Sequence, residues 1–172
     1  ILEKKGIKAK ILTWKGSVPS SNIQSQARLI RYSLIQKECI KNKISFLLTA
    51  HHQDDQIETF LIRLSRGSGV QGLSSMREIS RIDKNIKLFR PTLDFKKKDL
   101  VYLTKKIFGK FFIDPSNKNS KYLRTKIRKL IVELEKSGIK KEQIVKSIKN
   151  LGSSSDTISL YVKNLYQNLV TK

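Results

Sequence analysis

An almost uninterrupted apolar run, Ile44 to Ala50, opens directly onto His51-His52-Gln53-Asp54-Asp55-Gln56-Ile57-Glu58-Thr59. A short run of this kind reads as a strand buried on both faces, as in a parallel sheet. Beyond it, Ile57, Phe60, Leu61 and Leu64 fall at the spacing of one helix face. The hydrophobic period thus changes from strand to helix within a few residues, and polar groups crowd the change. Parallel strands need helical crossovers, so this junction places the chain in the α/β class. Open α/β sheets bind ligands beyond the carboxyl ends of their strands, which is where His51 to Glu58 would lie.

The flanking sequence extends the pattern. Lys8 to Trp14 reads as a strand. Ser21 or Asn22 can cap a helix running to about Asn42, with Ile23, Ala27, Ile30, Leu34 and Ile35 on its buried face and Cys39 as a small core residue. Arg66-Gly67-Ser68-Gly69-Val70-Gln71-Gly72 matches a dinucleotide fingerprint in letters only. It follows a helix, whereas the fingerprint must follow a strand, so a helix C-cap and loop is the expected structure. Met76 to Ile82 and Ile86 to Phe89 flank Asp83-Lys84-Asn85, which reads as a hairpin or a bent connection, and Lys96 to Phe108 reads as a helix ended by Gly109. Phe111-Phe112-Ile113 reads as a short buried run, and Asp114-Pro115-Ser116-Asn117 as a turn. A basic helix from Lys121 to Glu135 should stop at Gly138. Two more helices, Lys140 to Asn150 and Thr157 to Val170, are expected on either side of Gly152-Ser153-Ser154-Ser155.

The predicted architecture is an incomplete doubly wound parallel sheet, Rossmann-like and similar to the adenine-nucleotide alpha-hydrolases, followed by a helical part. Residues 1–90 would form the α/β portion, 91–136 a helical extension completing the site, and 137–172 C-terminal helices without an assigned role. The first residue is Ile1, and the opening reads as the end of a helix, so the chain is expected to be a fragment.

With 36 basic against 14 acidic residues, the net charge is +22, which favours a polyanionic partner, nucleic acid above all. A lysine-rich source composition would give the same number without function. No apolar run reaches membrane-spanning length, so no membrane partner is expected. One cysteine rules out a disulfide framework and a Cys-x-x-Cys site, and points to the cytoplasm.

Three of the 14 acids, Asp54, Asp55 and Glu58, fall within five positions. Three readings of this cluster stand side by side. It could ligate a metal, with Asp54 as the first candidate, although the chain has no His beyond His51 and His52. It could orient a cationic nucleophile and Mg²⁺, with His51 handling a proton or an anionic intermediate. It could simply cap a helix. Arg28 and Arg31 share a face of the preceding helix, as Arg124 and Arg128 share one later. Each pair is either a solvated surface or a clamp for phosphate.

In order, the chain carries Asn22-Ile23-Gln24…Ala27-Arg28…Arg31-Tyr32, the His51–Thr59 block, Arg66-Gly67-Ser68-Gly69…Gly72-Leu73…Met76, Arg90-Pro91, and Asp114-Pro115-Ser116-Asn117…Arg124…Ile127-Arg128. This set resembles the tRNA(Ile)-lysidine synthetase family of PP-loop ATPases over roughly residues 1–135. The family's Ser-Gly-Gly-x-Asp-Ser phosphate loop would precede Ile1, so the fragment is expected to be inactive as given. Where the family commonly reads Arg-Asn-x-Ile-Arg, this chain has Arg124-Thr125-Lys126-Ile127-Arg128. The resemblance implies ATP-dependent ligation of free L-lysine to C2 of the wobble cytidine of an isoleucine tRNA with a CAU anticodon, through an adenylylated intermediate. ATP and Mg²⁺ would be required, and a homodimer is allowed. By the same resemblance Asp55 and Glu58 would receive the lysine amine and His51 would assist at the reacting centre. Arg28, Arg31 and Arg124 would hold phosphate or the lysine carboxylate, and Arg66 and Arg128 the tRNA backbone. A PP-loop thiolase and an inactive RNA-binding fragment are the other readings.

Overall fold

The computed structural model describes residues 2–17, 21, 23–112 and 123–170. The chain forms two compact units that alternate along the sequence: Ile1–Thr49 with Ile79–Phe89, and Ala50–Glu78 with Arg90–Lys172.

The first unit holds helix α1 (Ile23–Lys41) and three short strands, β1 (Phe46–Leu48), β2 (Ile79–Arg81) and β3 (Lys87–Phe89). The sheet order is β1-β3-β2. β1 and β3 run parallel, and β2 joins β3 antiparallel through the expected hairpin. Asp83 closes that hairpin by accepting the Asn85 N–H at 2.7 Å, an Asx turn. The Gln36 amide on α1 donates to the other Asp83 oxygen at 2.6 Å, fastening helix to turn. Cys39, Ile86 and Leu88 are buried. Ala27, Ile30, Leu34 and Ile35 are half-buried as their spacing predicts, whereas Ile23 at the helix start is exposed.

Two expectations for this unit fail. Lys8 to Trp14 is not a strand: its alternating lysines suit a sheet edge, but no ladder hydrogen bond engages it among the described residues. It is tied down instead by an ion pair from Lys10 to Glu38. β1 is also not buried on both faces. Phe46 and Leu48 point to the same side and remain 50% and 59% exposed, because no described element covers that side.

The second unit is helical: α2 (Gln53–Leu64), α3 (Val70–Leu73), α4 (Lys97–Phe108), α5 (Leu123–Lys136) and α6 (Lys141–Val170). Its core is assembled from three pairs one helical turn apart: Ile57 and Leu61 from α2, Ile127 and Ile131 from α5, Ile144 and Ile148 from α6. Ile57 is fully enclosed, a burial that contributes about 2 kcal/mol. Gly109, at φ 76°, ends α4 in the left-handed conformation that glycine adopts without a Cβ clash.

α6 is one helix of 30 residues, not two. Gly152 and the serines have weak helix propensity, but tertiary contacts override it. Ser153 and Ser154 return their hydroxyls to the carbonyls of Lys149 and Asn150, so they do not compete with the helix. Gly152 and Ser155 are buried. Arg77 donates to the Gly152 carbonyl at 3.0 Å and forms a fork with Asp156 at 2.7 and 3.1 Å. A Cβ on residue 152 would stand 3.1 Å from Arg77 Nη1, so glycine is what admits the guanidinium.

Phe111 and Phe112 are exposed, contrary to the expected buried run, whose third residue, Ile113, lies outside the described residues. The Asp114–Asn117 turn lies outside the described residues. No described helix is long and apolar enough to cross a membrane.

Candidate functional site

The junction read from the sequence exists: β1 ends at Leu48 and α2 begins at Gln53. In the second unit, the start of α2 is held by backbone partners. Thr92 Oγ1 donates to the His51 carbonyl at 2.8 Å, and the Gln53 N–H to the Phe95 carbonyl at 3.0 Å. His52 is the N-cap, in extended conformation, and its N–H donates to Asp55 Oδ2 at 3.0 Å. Asp54 and Asp55 occupy the first turn, where unsatisfied N–H groups and the helix dipole favour negative charge. The capping role weighed for this cluster is therefore present in Asp55. His52 Nδ1 is buried, 3.4 Å from the same Asp55 oxygen, and lacks a hydrogen-bond partner.

One turn further, Glu58 is 3% exposed. Its carboxylate accepts from Arg128 Nε at 2.5 Å and Nη2 at 3.4 Å. The Arg128 guanidinium is held above its ordinary value by the Glu58 hydrogen bond first, against some desolvation, and then by the charges of Glu58, Asp55 and Asp54. All three acids thus act on one guanidinium carried by α5. Asp54 also shares a cavity with four lysines, so Arg128 is not the sole cationic neighbour of these acids.

The other predicted residues are distributed as follows. His51 is half-buried at the junction. Arg66 is exposed just beyond α2, and Arg124 is exposed in the first turn of α5, one turn before Arg128. Arg28 and Arg31 are exposed on α1 of the first unit, with the Arg28 guanidinium 5.0 Å from the centre of the Tyr32 ring. Asp54 and Gln53 line a cavity of about 290 Å³ together with Glu135, Glu142 and four lysines, Lys96, Lys97, Lys98 and Lys141. Lys96 donates to Glu142 at 2.8 Å across it.

Sequence reasoning missed three structural side chains around the Arg66–Met76 loop. Gln56 grips the Met76 backbone in both directions, donating to its carbonyl and accepting its N–H, each at 2.8 Å. Arg63 donates to the carbonyls of Gly72 at 2.7 Å and Ser75 at 3.0 Å. Arg77 fixes α6. Gln56 and Arg63 are seven residues apart and so share a face of α2, which was the available signal. The loop needs such clamps because Ser75 adopts φ 58°, uncommon for a residue with a Cβ.

As for a metal, no group of three His, Cys, Asp or Glu side chains suited to hold one occurs among the described residues. Glu58 is engaged by Arg128 and Asp55 by the cap.

Comparison with known proteins follows the same lines. The family model for the PP-loop domain, an ATP-binding family, matches residues 1–135. The tRNA(Ile)-lysidine synthase of Anaplasma marginale is 38% identical over 160 residues, 92% of this chain and 34% of that protein. The enzyme of the same name from Rhodopseudomonas palustris is 41% identical over 138 residues, 80% of this chain and 39% of that protein. The chain thus spans somewhat over a third of the length of these curated relatives. Among solved structures, the U34-tRNA thiolase NcsA from Methanococcus maripaludis with its [4Fe-4S] cluster superposes with a TM-score of 0.67. That match has 21% identity and covers 87% of this chain and 53% of that one, a likeness of fold. The α/β unit with its parallel β1–β3 pair, the acid-bearing helix start after β1 and the match over residues 1–135 agree: the chain belongs to the PP-loop domain family.

Proposed function

We propose that this chain is part of an enzyme that joins L-lysine to C2 of the wobble cytidine of an isoleucine tRNA with a CAU anticodon. The C2 oxygen first attacks the α-phosphorus of ATP: an O–P bond forms, the α–β phosphoanhydride bond breaks and pyrophosphate leaves, turning a poor leaving group into a good one. The lysine ε-amine then attacks C2: a C–N bond forms, the C–O bond to the adenylate breaks, AMP departs and the amine gives up its proton. The work would take place in the cytoplasm, where tRNA is modified.

The observation that supports this reading is geometric: two acids one turn apart at the start of α2 are held in place, Asp55 by the His52 N–H and Glu58 by Arg128. A carboxylate fixed in this way can receive a small cation, and a lysine ammonium is one. Arg128 orients Glu58, and Asp55 is oriented by the His52 N–H, so both acids are held in place before a substrate arrives. In this reading Asp55 and Glu58 steer the amine and His51 handles a proton at the reacting centre. Asp54 would lend a carboxylate to a Mg²⁺ on the nucleotide. Arg28, Arg31 and Arg124, all exposed, would take phosphate or the lysine carboxylate, and Arg66 the tRNA backbone. Arg128 was expected on the tRNA as well; its bonds to Glu58 support the positioning role first. The sole cysteine, Cys39, is buried in α1; the competing reading, a PP-loop thiolase, is separated from this one by mass spectrometry of the modified tRNA.

The test is transfer of radiolabelled lysine to the isoleucine tRNA, with ATP, by the gene product that contains this chain. Asp55→Asn should lower transfer by about 100-fold or more, the scale for a group acting in the transition state. Wild-type transfer by Asp55→Asn, or no lysine transfer by the parent protein, overturns the reading.

A further inference from the structure

α4 buries none of its residues. Leu100, Val101, Thr104 and Phe108 are half-buried, while Lys98, Tyr102, Lys105 and Lys106 follow one another at helical spacing and are exposed. Gly109 then turns the chain, and Lys110-Phe111-Phe112 follows. Lys105 Nζ stands 6.0 Å from the centre of the Phe111 ring and Lys110 Nζ 5.6 Å from that of Phe112. Tyr102 is 66% exposed and Phe112 77%. From Lys96 to Phe112 there are six lysines and one acid, Asp99.

We propose that the end of α4 and the segment after it, Lys105 and Lys106 with Lys110, Phe111 and Phe112, bind an unpaired stretch of RNA. The proposal deepens the reading that the substrate is a tRNA and rests on it. Its chemistry is that of single-strand recognition: bases stack on exposed rings, and ammonium groups beside the rings meet the phosphates. A ring capped by an ammonium offers its face once the ammonium swings to a phosphate, so the cation–π pairs keep rings and charges in register. A second copy of the chain is opposed by six like charges meeting six. An anionic lipid surface would also draw lysines and rings, and the vesicle arm below separates it from RNA. A paired RNA offers no open bases to stack.

The experiment measures fluorescence anisotropy of the chain with a labelled adenine-rich single strand of about a dozen nucleotides, a length suited to such sites, and with the same strand in a duplex. Phe112→Ala should weaken single-strand binding about tenfold, the value of one stacked base, and change duplex binding by less than about twofold. Phe112→Trp should restore it. Replacing Lys105, Lys106 and Lys110 by Gln should lower the salt slope for the single strand by about 2. Phe112 is exposed, so melting by circular dichroism should be unchanged in Phe112→Ala. Equal loss on both RNAs, no loss on either, or tighter Phe112-dependent binding to anionic phosphatidylglycerol vesicles overturns the proposal. So does a Phe112-dependent change in oligomeric state by analytical ultracentrifugation. Single-strand selectivity that depends on Phe112, in a parent protein that transfers no lysine, would uphold this surface and defeat the ligation reading. Lysine transfer unaffected by a Phe112→Ala change that also leaves single-strand affinity intact would do the reverse.

Discussion

Arg128 reaches Glu58 from 70 residues away in the sequence and closes on it at 2.5 Å. Glu58 is the one acid buried among the described residues, and its partner is about one-third exposed. Without this partner the carboxylate would stand in the interior with its hydrogen-bonding capacity unmet. The pair therefore joins α2 to α5 beside Ile57 and Ile127.

A double-mutant cycle with Glu58→Gln and Arg128→Met should give a coupling of about 1–2 kcal/mol by urea denaturation. A charge-assisted bond sets that scale, reduced because Arg128 meets solvent. A coupling below about 0.3 kcal/mol would mean that the pair does not hold the two helices together.

The Gly152–Arg77 contact makes a second, opposite-signed prediction. Gly152→Ala alone places a Cβ against Arg77, so the helix-propensity gain is offset by displacement of the guanidinium. In an Arg77→Ala background the obstacle is gone, and the same change should stabilise by about 1 kcal/mol. Thermal denaturation of the four proteins checks it, and equal effects in both backgrounds would refute the close approach.

Acid sensitivity follows from three carboxyls held below their ordinary values. Glu38 is lowered first by its bond from Lys10, Asp83 first by the Asn85 N–H, and Glu142 first by Lys96. In each case the unfolded chain takes up the proton before the folded one does. Their contribution is whole above the ordinary values of 4.5 and 3.8 and is lost as pH falls below them. Urea midpoints should stay level from pH 7 to about pH 5 and then fall. Asp83→Asn should flatten the decline, and an unchanged decline would remove Asp83 from the account. Lys96 is raised by Glu142, so its share is present below its ordinary 10.5 and is lost in stronger alkali.

Arg124→Ala should lower lysine transfer by about tenfold or more while changing stability by less than about 1 kcal/mol, since the side chain is exposed. Transfer assays beside thermal melts separate the two, and a large loss of stability would make Arg124 structural.

The junction between β1 and α2 was legible because the hydrophobic period changes there and the polar block lies on the change. The hairpin at Asp83 and the ends of α4 and α5 were legible from turn and glycine chemistry. The continuity of α6 was not. Gly152 to Ser155 carry the local signature of a break, and the distant Arg77 that bonds Gly152 and Asp156 there has no local signal. The burial of β1 was misread because an apolar sequence says nothing of whether another layer covers it. Of the site, the acids and arginines were read by type and spacing. That Arg128 would meet Glu58 was not legible, since no local period links positions on two separate helices.

The alternation of the two compact units along the chain has a practical corollary. The polypeptide passes from one unit to the other after Thr49, after Glu78 and after Phe89. Ile57 and Leu61 come from the earlier passage through the helical unit, while Ile127, Ile131, Ile144 and Ile148 come from the later one. A truncation at any one of these crossings divides at least one unit between the products. Removing everything before Arg90, for example, strips two of six isoleucine and leucine side chains from that centre. Gene dissection of this chain calls for an insertion joining Glu78 to Arg90, or for internal excision, in place of a single boundary.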